Sequence, residues 1–146
     1  YYITLFMICT YFFKLFLNNE NYSFGGSHKV IINYAKENNI QAAEINFIGA
    51  VQSAKVLYFN QEKKKYDEHI MDQPYEVLSG IGNISLLDDK PFVHVHVVLA
   101  DSTGKAFGGH LDKGTKVWLI EAFIHEVDSK NLVRNFDENI CLSVWS

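Results

Sequence analysis

The sequence predicts an α+β fold: a single compact domain over residues 1–146, in which a curved, largely antiparallel β-sheet packs with one main α-helix. Three observations predict it. From Gln41 onward, short runs rich in β-branched and aromatic residues alternate with turn formers at hairpin spacing. One stretch, after Ser27, carries apolar residues at helical spacing. A chain of 146 residues with 48% apolar and 21% charged content can bury one sizeable core, and shows no repeat, low-complexity tract or linker that would mark a second.

The elements follow in chain order. The apolar opening, Tyr1 to Leu17, is dense in aromatic and β-branched residues and carries Thr4, Thr10 and Lys14. It lacks a basic leader and falls short of the ~20 residues a spanning helix needs, so it reads as strand and not as a membrane anchor. Asn18 to Gly26 is rich in turn formers and closes it, making 1–26 an N-terminal strand and loop. Ser27 can cap a helix through Val30, Ile31, Tyr34 and Ala35, and Asn38 and Asn39 stop it. Strands are expected over 41–51, 54–60, 66–71, 75–86, 92–100, 105–107 and 115–127. The intervening turns lie at Gln61 to Lys65, Asp72 to Pro74, Leu87 to Pro91, Asp101 to Gly104 and Gly108 to Gly114. The tail, 128–146, mixes polar residues with Leu132, Val133, Phe136, Leu142 and Trp145 and can pack back on the domain.

Charge narrows the partners. Thirteen Lys and Arg against 17 Asp and Glu give a net charge of -4, which disfavours a generic electrostatic grip on nucleic acid. The one basic cluster, Lys63 to Lys65, is flanked by Glu62, Asp67 and Glu68 and reads as a solvated turn. Arg134 is the single arginine of the chain, whereas groove readout leans heavily on arginine. Cys9 and Cys141 form neither a disulfide framework nor a paired ligand motif. They suit a reducing interior, so a cytoplasmic location is expected.

The stretch that carries chemistry is Phe92 to Ala100, FVHVHVVLA. Strand alternation sends Val93, Val95, Val97 and Leu99 to one face, the core. Phe92, His94, His96 and Val98 take the other, with the two imidazoles' Cα atoms about 6.5–7 Å apart. His110 follows Gly108 and Gly109, and a hairpin through Asp101 to Gly104 would return it alongside the histidine strand. Three imidazoles with an open fourth position suit a divalent metal, zinc foremost, which polarises a carbonyl or acidifies bound water. Hydrogen-bonded sheet histidines and a turn cap are the plainer alternative. His28, His69 and His125 lack such company and read as surface residues. Glu121, inside WLIEAFI, and Glu76, in the run Tyr75 to Leu78, are candidate catalytic carboxylates: each could orient an imidazole or move a proton beside the metal, or serve only as an ion-pair or rim residue. Neither a phosphate-binding glycine loop nor a nucleophile elbow occurs.

Several runs together resemble the plant and prokaryote conserved domain, which in plants accompanies AT-hook DNA-binding motifs. They are GIGNIS at 80–85, KPFVHVHVVLADSTGKAFGGHL at 90–111 and GTKVWLIEAFI at 114–124, with IQAAEINFIGAV at 40–51, YEVLSG at 75–80 and LVRNFDE at 132–138. The resemblance runs from about Ser27 to the C-terminus. It implies a curved antiparallel sheet with one helix, assembly as a homotrimer, and correspondence of His94, His96 and His110 to histidines that in prokaryotic members can hold a metal such as zinc. Acetolactate decarboxylase, a distant structural relative, has a comparable three-histidine zinc site, by analogy of fold alone. The N-terminal region departs from the family, with Lys14 where an arginine is usual and a longer loop to Gly26. Prokaryotic members commonly carry a provisional DNA-binding label, but no Arg-Gly-Arg-Pro segment is present here.

Two functions from different classes are therefore expected. One is a homotrimeric binding or assembly module with a three-histidine divalent-metal site. The other is a zinc-type metalloenzyme acting on a small carbonyl compound. DNA is a partner by family label only, and no membrane partner is expected.

Overall fold

The computed structural model describes residues 11–13, 26–127 and 132–145. Ten elements follow in chain order: β1 (Tyr11–Phe13), α1 (Gly26–Glu37), β2 (Ala43–Asn60), β3 (Lys65–Met71), β4 (Tyr75–Leu87), β5 (Lys90–Ala100), β6 (Ala106–Leu111), β7 (Lys116–Glu126), β8 (Arg134–Asp137) and β9 (Leu142–Trp145). Strand dominates and the helix has only 12 residues, so the α+β expectation holds in its coarse form: a mostly antiparallel sheet with one short helix. No described helix is long and apolar enough to cross a membrane. Of the apolar opening, only Tyr11–Phe13 is described, as a strand paired with β7; the remainder of 1–26 before Gly26, Lys14 and Cys9 included, lies outside the described residues.

Seven strands form one sheet in the order β1-β7-β2-β4-β5-β6, with β3 added on β2. A further pairing joins Val56 and Leu57 of β2 to Leu111 and His110 of β6. Thus β2, β4, β5 and β6 close a ring of pairings. The 18-residue β2 makes this possible, where two strands with a break near 52–53 were expected. Its first half pairs with β4 and β7, and its second with β3 and β6. Register shifts around Gly49 and Val51 let the strand coil between those partners without a turn. Gly49 has φ 153°, and a Cβ there would collide with the Leu119 carbonyl oxygen.

The core fills the inside of this curved sheet. Ile45, Phe47, Val56, Val77, Ile84, Val95, Val97, Leu99 and Leu111 are all buried there, and α1 covers it with Ile31 and Ala35. The helix begins at Gly26, one residue ahead of the predicted cap, a shift within the ordinary scatter of helix ends. It ends as predicted at the asparagines: Asn39 takes a left-handed φ of 56°, and Ile40 N–H donates to the Ala35 carbonyl at 2.8 Å.

Three tight connections set the register that matters for function. Asp88 and Asp89, at φ 50° and 57°, form the two-residue loop between β4 and β5, closed by the pair Leu87 and Lys90. Asp101 organises the β5–β6 turn: its Oδ1 accepts from Thr103 N–H at 2.8 Å, Thr103 Oγ1 at 2.6 Å and Lys105 N–H at 3.1 Å. These bonds hold its carboxyl below the usual range. Lys63 and Lys64 lie exposed in the β2–β3 turn, as the solvated reading of that run requires.

Two predicted turns are mostly strand: of Leu87 to Pro91 only Asp88 and Asp89 lie outside β4 and β5, and Gly108 to Gly114 begins within β6. Residues 108–111 belong to β6, and only 112–115 form the turn. The glycines serve close approach of strands: a Cβ on Gly108 would run into the Val97 carbonyl oxygen, and one on Gly109 would come 2.9 Å from the Leu57 oxygen.

The tail pairs β8 with β9 as a separate antiparallel hairpin. It is tied to β4 by a parallel bridge between Leu86 and Val133 and by Leu86 N–H donating to the Leu132 carbonyl at 3.0 Å.

Candidate metal centre

Alternation along β5 places Val93, Val95, Val97 and Leu99 inside, none more than 3% exposed. His94 and His96 point outward, one half-buried and the other exposed. The Asp101 turn pairs Ala100 with Ala106, and the same register four residues further brings His110 opposite His96. A slip of one residue would present Gly109 or Leu111 there.

The three imidazoles consequently converge. Ring centroids of His94 and His96 lie 5.1 Å apart, His94 and His110 4.9 Å, and His96 and His110 5.5 Å. One ring nitrogen from each falls within 4.8 Å of the others. The His94 and His96 Nε2 atoms are 3.1 Å apart, close to the ~3.3 Å edge of a tetrahedron with metal–nitrogen bonds of about 2.0–2.1 Å. The His110 ring nitrogen lies within 4.8 Å of both. The donor set, all imidazole on an outward sheet face, fits a borderline-soft divalent ion such as zinc.

Electrostatics keep a ligand nitrogen available. Burial, then His110, Arg134 and His96, push the His94 pKa down to about 4, so its ring is neutral at neutral pH. Proton competition at that ligand is weak.

Arg134 joins this site from the C-terminal hairpin, which the sequence reading did not foresee. The residue as a whole is 7% exposed. Nε donates to Ser85 Oγ at 2.8 Å, Nη1 to the Ser143 carbonyl at 2.9 Å and Nη2 to Asn83 Oδ1 at 2.9 Å. The Phe92 and Trp145 rings lie 5.2 and 5.4 Å from it. Nη2 also sits 3.4 Å from His94 Nδ1, at the outer limit of a hydrogen bond. A metal on Nε2 would leave the His94 proton on Nδ1, so this pair would then set two N–H donors facing one another and would not be a hydrogen bond. A signal was present in the sequence: a sole arginine set among Leu132, Val133 and Phe136. Tyr66 completes the surroundings, its ring 5.3 Å from His110, with burial raising its pKa against the opposing Arg134 charge.

The other candidates lie elsewhere. Glu121 is exposed on β7 opposite Ile48, three strands from β5 and so about 14 Å away. Its apolar neighbour Phe123 is itself 44% exposed, so the carboxylate is not set in a core. Glu76 pairs with Ala100, four residues or about 13 Å along β5 from His96. It lines a separate cavity of about 480 Å³ with Asp101, Ser102 and Trp118. Among the described residues, the cluster that could hold an ion contains the three histidines and no carboxylate. His69 is exposed and His125 half-buried; the His28 side chain lies outside the described residues.

A sequence profile for the Plants and Prokaryotes Conserved domain matches residues 27–128. The chain belongs to this family. A family protein from Pyrococcus horikoshii has a crystal structure similar at TM-score 0.82 and 35% identity, covering 94% of this chain and 91% of that one. A metal-containing protein from Archaeoglobus fulgidus is equally similar, at TM-score 0.82 and 35% identity over 94% of this chain and 93% of its own. A protein from Bacteroides thetaiotaomicron with a provisional DNA-binding label gives TM-score 0.74 at 26% identity, covering 81% of this chain and 82% of that one. No curated protein matches in sequence. In this member of the family, the histidine strand and its glycine-containing partner, β5 and β6, lie wholly within the matched segment. Arg134 lies just beyond it.

Proposed function

We propose that the chain is a homotrimeric metal-binding module in which His94, His96 and His110 hold one divalent ion, zinc foremost. The convergence of the three ring nitrogens within 4.8 Å carries this reading, and the metal-containing relative from Archaeoglobus fulgidus supports it. His94, His96 and His110 would bind and orient the ion, which would supply a Lewis acid on the outward face of the sheet.

Self-association is supported by the same face of the sheet. Ile48, Leu78, Ile81, Val98 and Phe123 are 43–57% exposed. The register makes them neighbours: Phe123 opposite Asn46, Asn46 opposite Ile81, and Ile81 opposite His96. An outward apolar field of this kind is covered in assemblies more often than left in water.

The metalloenzyme reading uses the same ion, but within a single chain Glu121 and Glu76 stand too far from it to move a proton there. Autonomous DNA binding loses its arginine as well, because Arg134 is buried and engaged. Location in the cytoplasm remains in keeping with the cysteine content.

The test is elemental analysis of the purified native protein. About one metal per chain is expected, lost in His96→Ala without loss of fold; native protein that neither carries nor takes up metal rejects the reading. A gel shift at about 150 mM salt should show no complex at micromolar protein, and a salt-sensitive shift under those conditions would restore DNA as a partner.

A further inference from the structure

The charge around the histidines does not balance. Arg134 is 7% exposed, and among the described residues every group it contacts is neutral: the Ser85 hydroxyl, the Ser143 carbonyl, the Asn83 amide oxygen, His94 Nδ1 and two aromatic rings. A buried cation is ordinarily paired with an acid, because desolvating it alone is costly. Glu68, which shares the Leu57 row with His110, and Asp112, two residues beyond His110, are already held by Lys55 Nζ at 2.8 and 3.1 Å. Adding a divalent ion to three neutral imidazoles beside this guanidinium makes a cluster with three positive charges and no acid among its described ligands.

We infer that the site takes a small oxyanion, a carboxylate or phosphate, as the group that completes the metal's coordination. Arg134 acts from behind His94 as the fixed charge that strengthens its capture. The chain itself supplies no described carboxylate to that position, and His96 is exposed on the single chain. This inference rests on the metal reading above and adds the chemical class of the ligand.

Cobalt(II)-loaded protein, in its native assembly and at constant ionic strength, tests it through the visible absorption of the ion. Acetate and inorganic phosphate are titrated against neutral acetamide, in wild type, Arg134→Lys and Arg134→Gln. Saturable spectral shifts are expected with at least one oxyanion and none with acetamide, and the tighter of the two names the source. Arg134→Lys should keep the effect, while Arg134→Gln, with metal content unchanged, should weaken it at least tenfold. Acetamide acting as well as the oxyanions overturns the inference, as does a folded, loaded Arg134→Gln that binds them like wild type. Should Arg134→Gln fail to fold, the wild-type comparison of acetate with acetamide decides alone. Failure to load cobalt at all would sink the metal reading itself, and is seen before any anion is added.

Discussion

Val95 and His96 are adjacent on β5 and face opposite ways. Val95 is 0% exposed inside the curved sheet, whereas His96 stands exposed on the outer surface beside two other imidazoles. The inner residues specify the fold and could be exchanged for others of similar volume. The outer ones contribute little to burial and are placed for coordination. The contrast teaches that a single strand can carry both tasks without conflict, because its period of two separates them.

The largest effect belongs to the inner face. Leu99, 0% exposed, should cost about 2–5 kcal/mol when changed to Ala, while His96→Ala in metal-free protein should stay within about 0.5 kcal/mol. Urea unfolding of both, with chelator present, measures the pair; equal losses would break the distinction between the faces.

Next is the joint between site and tail. Ser85 is 0% exposed and accepts from Arg134 Nε, so Ser85→Ala should cost about 1–3 kcal/mol by leaving a buried donor unmet. Hydrogen exchange should show residues 132–145 opening before the rest. Unchanged protection of the hairpin would mean that Arg134 does not anchor it.

A smaller effect follows from pH. In metal-free protein the unfolded His94 ring takes up a proton near 6.5, and the folded ring not until about 4. Its neutral state therefore contributes full stability above pH 6.5, and that contribution is lost as pH falls from 6.5 to 4. The ring is half-buried, so screening leaves a loss on the order of 1 kcal/mol. Unfolding midpoints of wild type and His94→Asn across this window check it: the variant should be less sensitive, and parallel curves would place the acid sensitivity elsewhere.

The smallest effect is on register. Asp101→Ala removes the three bonds that shape the β5–β6 turn without touching a ligand. Metal affinity should weaken roughly threefold, below the ~10–100-fold typical of groups bonded directly to ligands. Calorimetric titration with zinc measures it, and an unchanged constant would show that sheet pairing alone fixes His110.

Much of this contrast was legible beforehand. The alternation of FVHVHVVLA declares both faces of β5, and the spacing to His110 across a short turn foretells the third imidazole. Local patterns sufficed there because the contacts are local. Three features were not legible, each for a reason of long range. The continuity of β2 depends on register shifts that change its partners in mid-strand. Gly108 and Gly109 read as turn residues, when they answer the crowding of Val97 and Leu57 from other strands. Arg134 reaches the histidines through a bond to Ser85, 49 residues earlier in the chain, which no local pattern encodes. Glu121 looked misplaced among apolar neighbours because all of those neighbours were read as core, when Phe123 is exposed and Val117 and Leu119 are only half-buried.

The account rests on one ion held by three imidazoles, and X-ray absorption at the zinc edge of the zinc-loaded protein tests that most directly. It predicts about three histidine nitrogens at about 2.0–2.1 Å, with the imidazole count falling in His110→Ala. A shell containing sulfur, or one of oxygen alone with no imidazole scattering, would contradict it.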